Sequence, residues 1–524
     1  MTRRVSGFAA ALLAMALSTG AQAADLRIGM ANAPTLDPHF LWLGGNMSYN
    51  MHLYSTLLRV DEDGKLQPDL ATGWAPQGDN AWRFTLRPGI TFHDGSPFTA
   101  DDVVFTIQRV PNIPNNPSPY TPYIATVTEA VKIDDLTVEF RTSRPNPLLP
   151  RQIAGLMMVS QKAVEGRQTG DFSTGLAAVG TGPYRYESFI DGNRVTMRAN
   201  PAYFGTKPEW DRLHFRAIPN DASRSAALLA GDLDLIEGVQ SRDAESLKQK
   251  PNVVLHVGVP SRVMFLGVNI GGVNAEQLRG ANVDVEPLAN PLVRKAMSLA
   301  INRESMIRNL LDGYGQPVSQ IATPGMISFL DDLKPDPFDL AQARKLLAEA
   351  GYPNGFSTSL MCTNDRYIAD AETCQALSQM LARIGIRITP EAVPGTVYFG
   401  KVRAGSNPQP LYLGGWTNSQ GDVLTTMAAM FHSFDRTRGL GSANRSGWAD
   451  EVTDRNIREA QLEPDMNKRL AMQMVAMRRT TEGLVYIPLF TSPLILASRK
   501  GIVYRPGTAG SSELTLAMKA HPQR

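Results

Sequence analysis

Period-two and apolar runs at 26–30, 82–86, 137–140 and 186–198 predict strands, punctuated by turn signals at Arg87-Pro88-Gly89 and Asp94-Gly95. The spacing predicts that 90–92 returns as the partner strand of 82–86. Thr99-Ala100-Asp101-Asp102 opens a helix as a capping box, and Val103, Val104 and Ile107 form its apolar side. A proline-rich passage at 111–122 predicts a surface loop. Asp221 is placed as the cap of a helix ending near Gly231, followed by a strand at 233–236.

From about 268 the pattern turns to helix–strand alternation. Asn290-Pro291 starts a helix with Leu292, Ala296, Leu299 and Ala300 on one face, Asn302 starts a second, and Asp339 with Gln342 opens a third. Strands at 358–361 and 386–388 flank a helix carrying Leu377, Met380, Leu381 and Ile384. A long polar helix is predicted over 449–479, then a strand pair at 485–490 and 494–497. Helix and strand in repeated succession imply α/β layers, with mixed sheets covered by helices. A chain of 524 residues exceeds what one core serves, so two or more lobes are expected.

Residues 1–23 stand apart. Arg3 and Arg4 precede an apolar run at 8–17, and Ala21-Gln22-Ala23 offers a small-x-small cleavage site. Such a run is too short to cross a bilayer and predicts a secretion signal, with the remainder exported to a bacterial periplasm. The chain holds 52 Lys and Arg against 50 Asp and Glu, so removing Arg3 and Arg4 leaves formal balance. Bulk charge therefore gives no pull toward nucleic acid or an anionic membrane. In an oxidising compartment Cys362 and Cys374 either bridge or stay as two buried thiols.

The sequence carries little that points to turnover. The seven His have no metalloprotease spacing, there is no GxSxG elbow, and Gly180-Thr181-Gly182 lacks the third glycine of a dinucleotide loop. No cofactor or metal is expected, and His93-Asp94 reads as a turn rather than an acid–base pair. A scattered catalytic site in an exported hydrolase stays open as an alternative.

Several motifs recur in a specific order: Leu70-Ala71-Thr72-Gly73-Trp74, Phe92-His93-Asp94-Gly95, Gly180-Thr181-Gly182-Pro183-Tyr184, Asn200-Pro201-Ala202-Tyr203 and Ala300-Ile301-Asn302-Arg303. Together they resemble the peptide/nickel-type (family 5) extracytoplasmic solute-binding proteins of ABC transporters. The resemblance implies a two-lobed clamshell closing on a solute, read by an inner-membrane permease with its ATPase, the binder being a monomer. It implies a first lobe from 24–65, 180–268 and 490–524, an inserted subdomain over 66–179, and a second lobe over 269–489. The lobes would be joined by strands crossing near 268–270 and 488–490.

Site residues follow from the same resemblance. Leu411-Tyr412-Leu413-Gly414-Gly415-Trp416 matches a strand running into a Gly-Trp cleft motif, making Trp416 a cleft wall. Peptide binders place an Asp three residues later to hold the ligand ammonium; here that residue is Ser419. Asp422 is the acid that would substitute. Otherwise the ligand lacks a free α-amine and is opine-like, glycan-derived or a metal chelate. Arg366 occupies the place of a carboxylate-holding arginine, with an ion pair to Asp365 or Asp370 as the alternative. Asn418, Tyr398, Trp42, His39 and Met47 are further cleft candidates, and a lone His432 reads as structural.

Overall fold

The computed structural model describes residues 24–42, 44–61, 65–116, 120–258, 262–270, 286–364, 366–405, 407–418, 422–504 and 520–522. The expected leader, 1–23, lies outside them. Three sheets organise the chain. The largest has seven strands, in the order Val253–Gly258, Leu494–Arg499, Leu235–Ile236, Asp25–Met30, Arg212–Ala217, Arg194–Ala199 and Tyr184–Ile190. Its centre is parallel, because Asp25–Met30 lies between Arg212–Ala217 and Leu235–Ile236. The hairpin Tyr184–Ile190/Arg194–Ala199 turns at Asp191-Gly192, both at positive φ, a two-residue signal that the sequence carried in plain view.

A second sheet of five strands runs Arg387–Val393, Ser357–Thr363, Leu411–Thr417, Arg262–Val268 and Tyr486–Thr491. Period-two alternation loads both faces. Leu360, Cys362, Leu411 and Leu413 pack with Val293, Met297, Leu347, Leu377 and Leu381 of the helices on one side. Val263, Phe265, Met361 and Tyr412 pack with Tyr398, Ile457 and Ala476 on the other. Each such buried Leu contributes about 1.5–3 kcal/mol.

The third sheet has four strands, Ala71–Pro76, Ala81–Leu86, Thr137–Thr142 and Val127–Asp134, backed by the helix Ala100–Arg109. Thr99 and Asp102 form the expected capping box.

Four local expectations change. The strand Ala81–Leu86 is already paired on both edges, by 71–76 and 137–142, so 90–92 turns back only through an isolated Thr91–Pro97 bridge. Asn220, not Asp221, caps the helix Asp221–Ala230, accepting from the Ser223 N–H. Leu292 is exposed, and Val293, Ala296, Met297 and Ala300 form the buried face. The long polar helix is two helices, Glu451–Leu462 and Met466–Gly483. Pro464 cannot continue the first, and Asp465 caps the second by accepting from the N–H groups of Asn467 and Lys468.

The crossings between the two large sheets lie earlier and later than expected. The strand Arg262–Val268 pairs with Leu411–Thr417 and Tyr486–Thr491, inside the second sheet. Val253–Gly258 pairs with Leu494–Arg499 in the first. The chain therefore changes sheets between Gly258 and Arg262 and between Thr491 and Leu494. Val268 and Leu489 are buried within their own sheet, whereas Pro493 has no N–H to extend the ladder. Two side chains also reach across. Leu148, beside the short helix Leu149–Gln152, is buried in the second lobe's cluster. Tyr314 packs against the apolar cluster that includes Ala244, Leu247 and Ile495 of the first lobe.

Candidate ligand-binding site

The strands Ser357–Thr363, Arg387–Val393 and Leu411–Thr417 are mutually parallel, so their carboxyl ends share one edge. Arg262, opposite Thr417, starts the antiparallel strand at that same edge, and Thr491 ends its other neighbour there. Both crossings leave from this edge, which places it toward the first lobe. Open α/β sheets bind ligands beyond the carboxyl ends of their strands.

The loop after Thr363 is held from several sides. A Cys362–Cys374 disulfide, with Cα atoms 6.3 Å apart, ties the strand to the helix Asp370–Ala382. Asp370 is buried, and its Oδ2 accepts from Thr363 Oγ1 at 2.6 Å and from the Arg366 and Tyr367 N–H groups at 3.1 and 3.2 Å. Asp370 is thus occupied by main-chain donors. The Arg366 guanidinium points elsewhere: 4.9 Å from the Phe399 ring, 5.5 Å from the Tyr367 ring, with Nε donating to Tyr367 Oη at 3.3 Å. Arg366 has no ion pair among the described residues, which sets aside Asp370 as its counter-ion; Asp365 lies outside the described residues.

Trp416 is half-buried against the second lobe's core, and its Nε1 donates to Thr426 Oγ1 at 2.8 Å. That hydroxyl donates in turn to Asn418 Oδ1, and Asn418 Nδ2 donates to the Ile321 carbonyl at 3.2 Å. Trp416 and Asn418 are therefore brought together, with the amide of Asn418 consumed in fixing the Trp. The glycine before Trp416 is required by packing, since a Cβ on Gly415 would meet Met264 Sδ at 2.8 Å and the Tyr367 ring at 2.9 Å. Ser419 lies outside the described residues.

Asp422 is 5% exposed; burial pushes its carboxyl up, opposed by the Leu424 N–H and by Arg151 and Arg469. Its Oδ1 accepts from Leu424 N at 2.8 Å. Arg151 belongs to the helix Leu149–Gln152 on the four-stranded layer, so Asp422 takes part in an attraction across the lobes.

The other candidates are built into the packing of their own lobes. Tyr398 is buried, and its hydroxyl donates to the Leu413 carbonyl at 2.6 Å, which leaves it facing the sheet. Trp42 packs edge-on to Tyr120 and Tyr123 in the first lobe, 4.4 and 6.0 Å between centroids. His39 donates from Nε2 to the Met157 carbonyl and accepts at Nδ1 from Arg109 Nη1, and burial holds it down at about 4. Met47 is core, His432 bonds the Ser433 carbonyl at 2.7 Å, and His93 bonds the Gly182 carbonyl at 3.1 Å.

Sequence reading missed Tyr367, Phe399, Arg262 and Arg445. Arg262 lies 5.7 Å from the Tyr367 ring and Arg445 lies 5.5 Å from the Phe399 ring. Tyr367 stands next to Arg366 and was within reach of the motif. The others come from distant segments and left no local signal.

The fold and this edge define a two-lobed binder of solutes. Residues 65–438 match the model of the bacterial extracellular solute-binding proteins, family 5 Middle. The glutathione-binding protein GsiB of Escherichia coli K12 is 26% identical over 506 residues, 95% of this chain and 94% of that protein. Among solved structures, the periplasmic binding protein DppA of Helicobacter pylori with peptide STSA has a TM-score of 0.78 at 23% identity, covering 95% of this chain and 98% of that one. AgaA of A. tumefaciens R10, in complex with agropinic acid, has a TM-score of 0.74 at 22% identity, covering 95% and 99%. The chain belongs to the family 5 extracellular solute-binding proteins of bacteria.

Proposed function

We propose that the protein captures a short peptide, or a similarly polar carboxylated solute, in the cleft between its lobes and presents it to the permease and ATPase of an ABC importer. It acts in the periplasm, as a monomer and without turnover. The first lobe takes 24–65, 180–258 and 494–504, the inserted subdomain 66–179, and the second lobe 262–491. One observation carries this reading: Arg366 is exposed at the carboxyl edge of the second sheet, aligned by two rings, with no carboxylate partner among the described residues. A guanidinium there grips a carboxylate by two parallel bonds. Trp416 walls the same edge.

Relatives named for glutathione, peptide and agropinic acid binding span the ligand chemistry to be tested. Native mass spectrometry of the purified protein identifies any retained solute. Calorimetry with free-acid peptides and their C-terminal amides tests the carboxylate directly; equal affinity for both would overturn the reading. A carboxylated ligand without a free α-amine is the second reading. It is favoured because Asp422, the acid nearest the Ser419 position, is buried and already faces Arg151 and Arg469. N-acetylated peptides separate the two, since they bind undiminished only in the second.

A further inference from the structure

Arg366 is one of three guanidinium groups at this edge. The Arg262 guanidinium lies 5.7 Å from the Tyr367 ring and that of Arg366 lies 5.5 Å from it, so two cations share a single ring. Phe399 is flanked likewise, by Arg366 at 4.9 Å and Arg445 at 5.5 Å. None of the three is in an ion pair with an acid among the described residues. Arg262 Nε is spent on Thr417 Oγ1 at 3.1 Å, which orients the group and leaves its terminal nitrogens available. Three half-buried or exposed cations around two rings repel one another, and among the described residues no acid pairs with any of them.

Resting on the reading of Arg366 as the carboxylate holder, we propose that Arg262 is a second anion-recognition residue, so that this binder selects solutes carrying two acidic groups over otherwise matched solutes carrying one. Two guanidiniums on one ring offer separate contacts for two carboxylates of one ligand. Arg262 begins the strand at a crossing, and its carbonyl accepts from the Ser492 N–H of the other crossing at 3.0 Å. An anion bound there engages the point about which the lobes move.

The test compares matched probes by calorimetry: Ala-Glu against Ala-Gln, and glutathione against its glycine amide. Wild-type protein is expected to prefer the dianionic member at least tenfold. In Arg262→Gln that ratio falls to within about twofold of unity, and Arg262→Lys, which keeps the charge, restores part of it. The thermal midpoint of each variant reports any damage to the crossing strand. Wild-type binding of both members without preference overturns this proposal and leaves the peptide reading standing. An Arg262→Gln loss that is equal for both members also overturns it, marking Arg262 as a hinge residue only. Failure of every probe and of its N-acetylated form to bind wild-type protein overturns both readings.

Discussion

Tyr314 Oη donates a 2.7 Å hydrogen bond to Glu245 Oε1, joining a segment of the second lobe to the helix Ser241–Lys248 of the first. Tyr314 is tethered to the second sheet two residues later, where Gln316 exchanges backbone and side-chain bonds with Thr491. The pair thus bridges the lobes beside a crossing. Tyr314→Phe removes this exposed bond and keeps the ring packing. The expected outcome is a weaker apparent affinity with an unchanged melting temperature. Unchanged affinity, together with unchanged small-angle scattering of the ligand-free protein, would show that the pair does not bias closure.

The disulfide closes a short loop that presents Arg366. With a sequence separation of 12, loop-closure entropy gives about 3 kcal/mol of stabilisation. Reduction, or the double substitution Cys362→Ser and Cys374→Ser, is expected to lower the thermal midpoint and weaken carboxylate binding together. Calorimetric scans with and without reductant measure the first, and titration of the reduced protein the second. If binding survives intact, Asp370 alone suffices to hold the loop.

Arg303 is a buried cation that binds no carboxylate. It donates to the carbonyls of Pro488, Ser298, Ile301 and Asp336 and to Ser298 Oγ. Burial pushes its guanidinium down to about 10, the nearby Asp336 opposing. Arg303→Ala orphans several acceptors beneath the strand Tyr486–Thr491, and about 3 kcal/mol or more of stability should be lost. Arg303→Lys should recover little, because an ammonium cannot reach acceptors on several sides at once. Denaturant titration of the three proteins decides this.

Acidification should destabilise the fold through its buried histidines. Burial lowers His39, His52, His93 and His256 to about 4 each, against an ordinary value of 6.5. Between those values the unfolded chain binds more protons than the native one, so stability falls as pH falls from about 6.5 toward 4. Asp69, raised to about 6 chiefly by burial, acts in the opposite sense, losing stability as pH rises from 3.8 to about 6. Asp102 and Asp422, also pushed up by burial, act with Asp69, so four histidines are set against three carboxyls. Melting temperatures across pH 7 to 4 should decline with net proton uptake on unfolding, and a flat profile would contradict the burial of these rings.

The family motifs, the helix caps at Thr99 and Asn290 and the α/β character were all legible, because capping and periodicity act over a few residues. The two cysteines were legible as a choice between bridge and thiols; the pairing awaited the distance between a strand and a helix. Arg366 was legible as a position, yet its lack of an ion pair among the described residues was not, since Asp370 could have been its counter-ion. Tyr398 and Asp422 were plausible by residue type, and their burial was not legible, with the Tyr398 hydroxyl donating to the Leu413 carbonyl and Asp422 Oδ1 accepting from the Leu424 N–H.

What the chain determined by itself was the set of elements and the family-wide frame, through local backbone preference and the spacing of apolar positions. What only the tertiary structure decided was where strands change sheets and which cations share a ring. Pairing between strands hundreds of residues apart is fixed by packing and by the absence of an N–H at Pro493, and no local pattern encodes it. The carboxyl edge that collects Arg262, Arg366, Phe399 and Arg445 exists only once those strands are aligned.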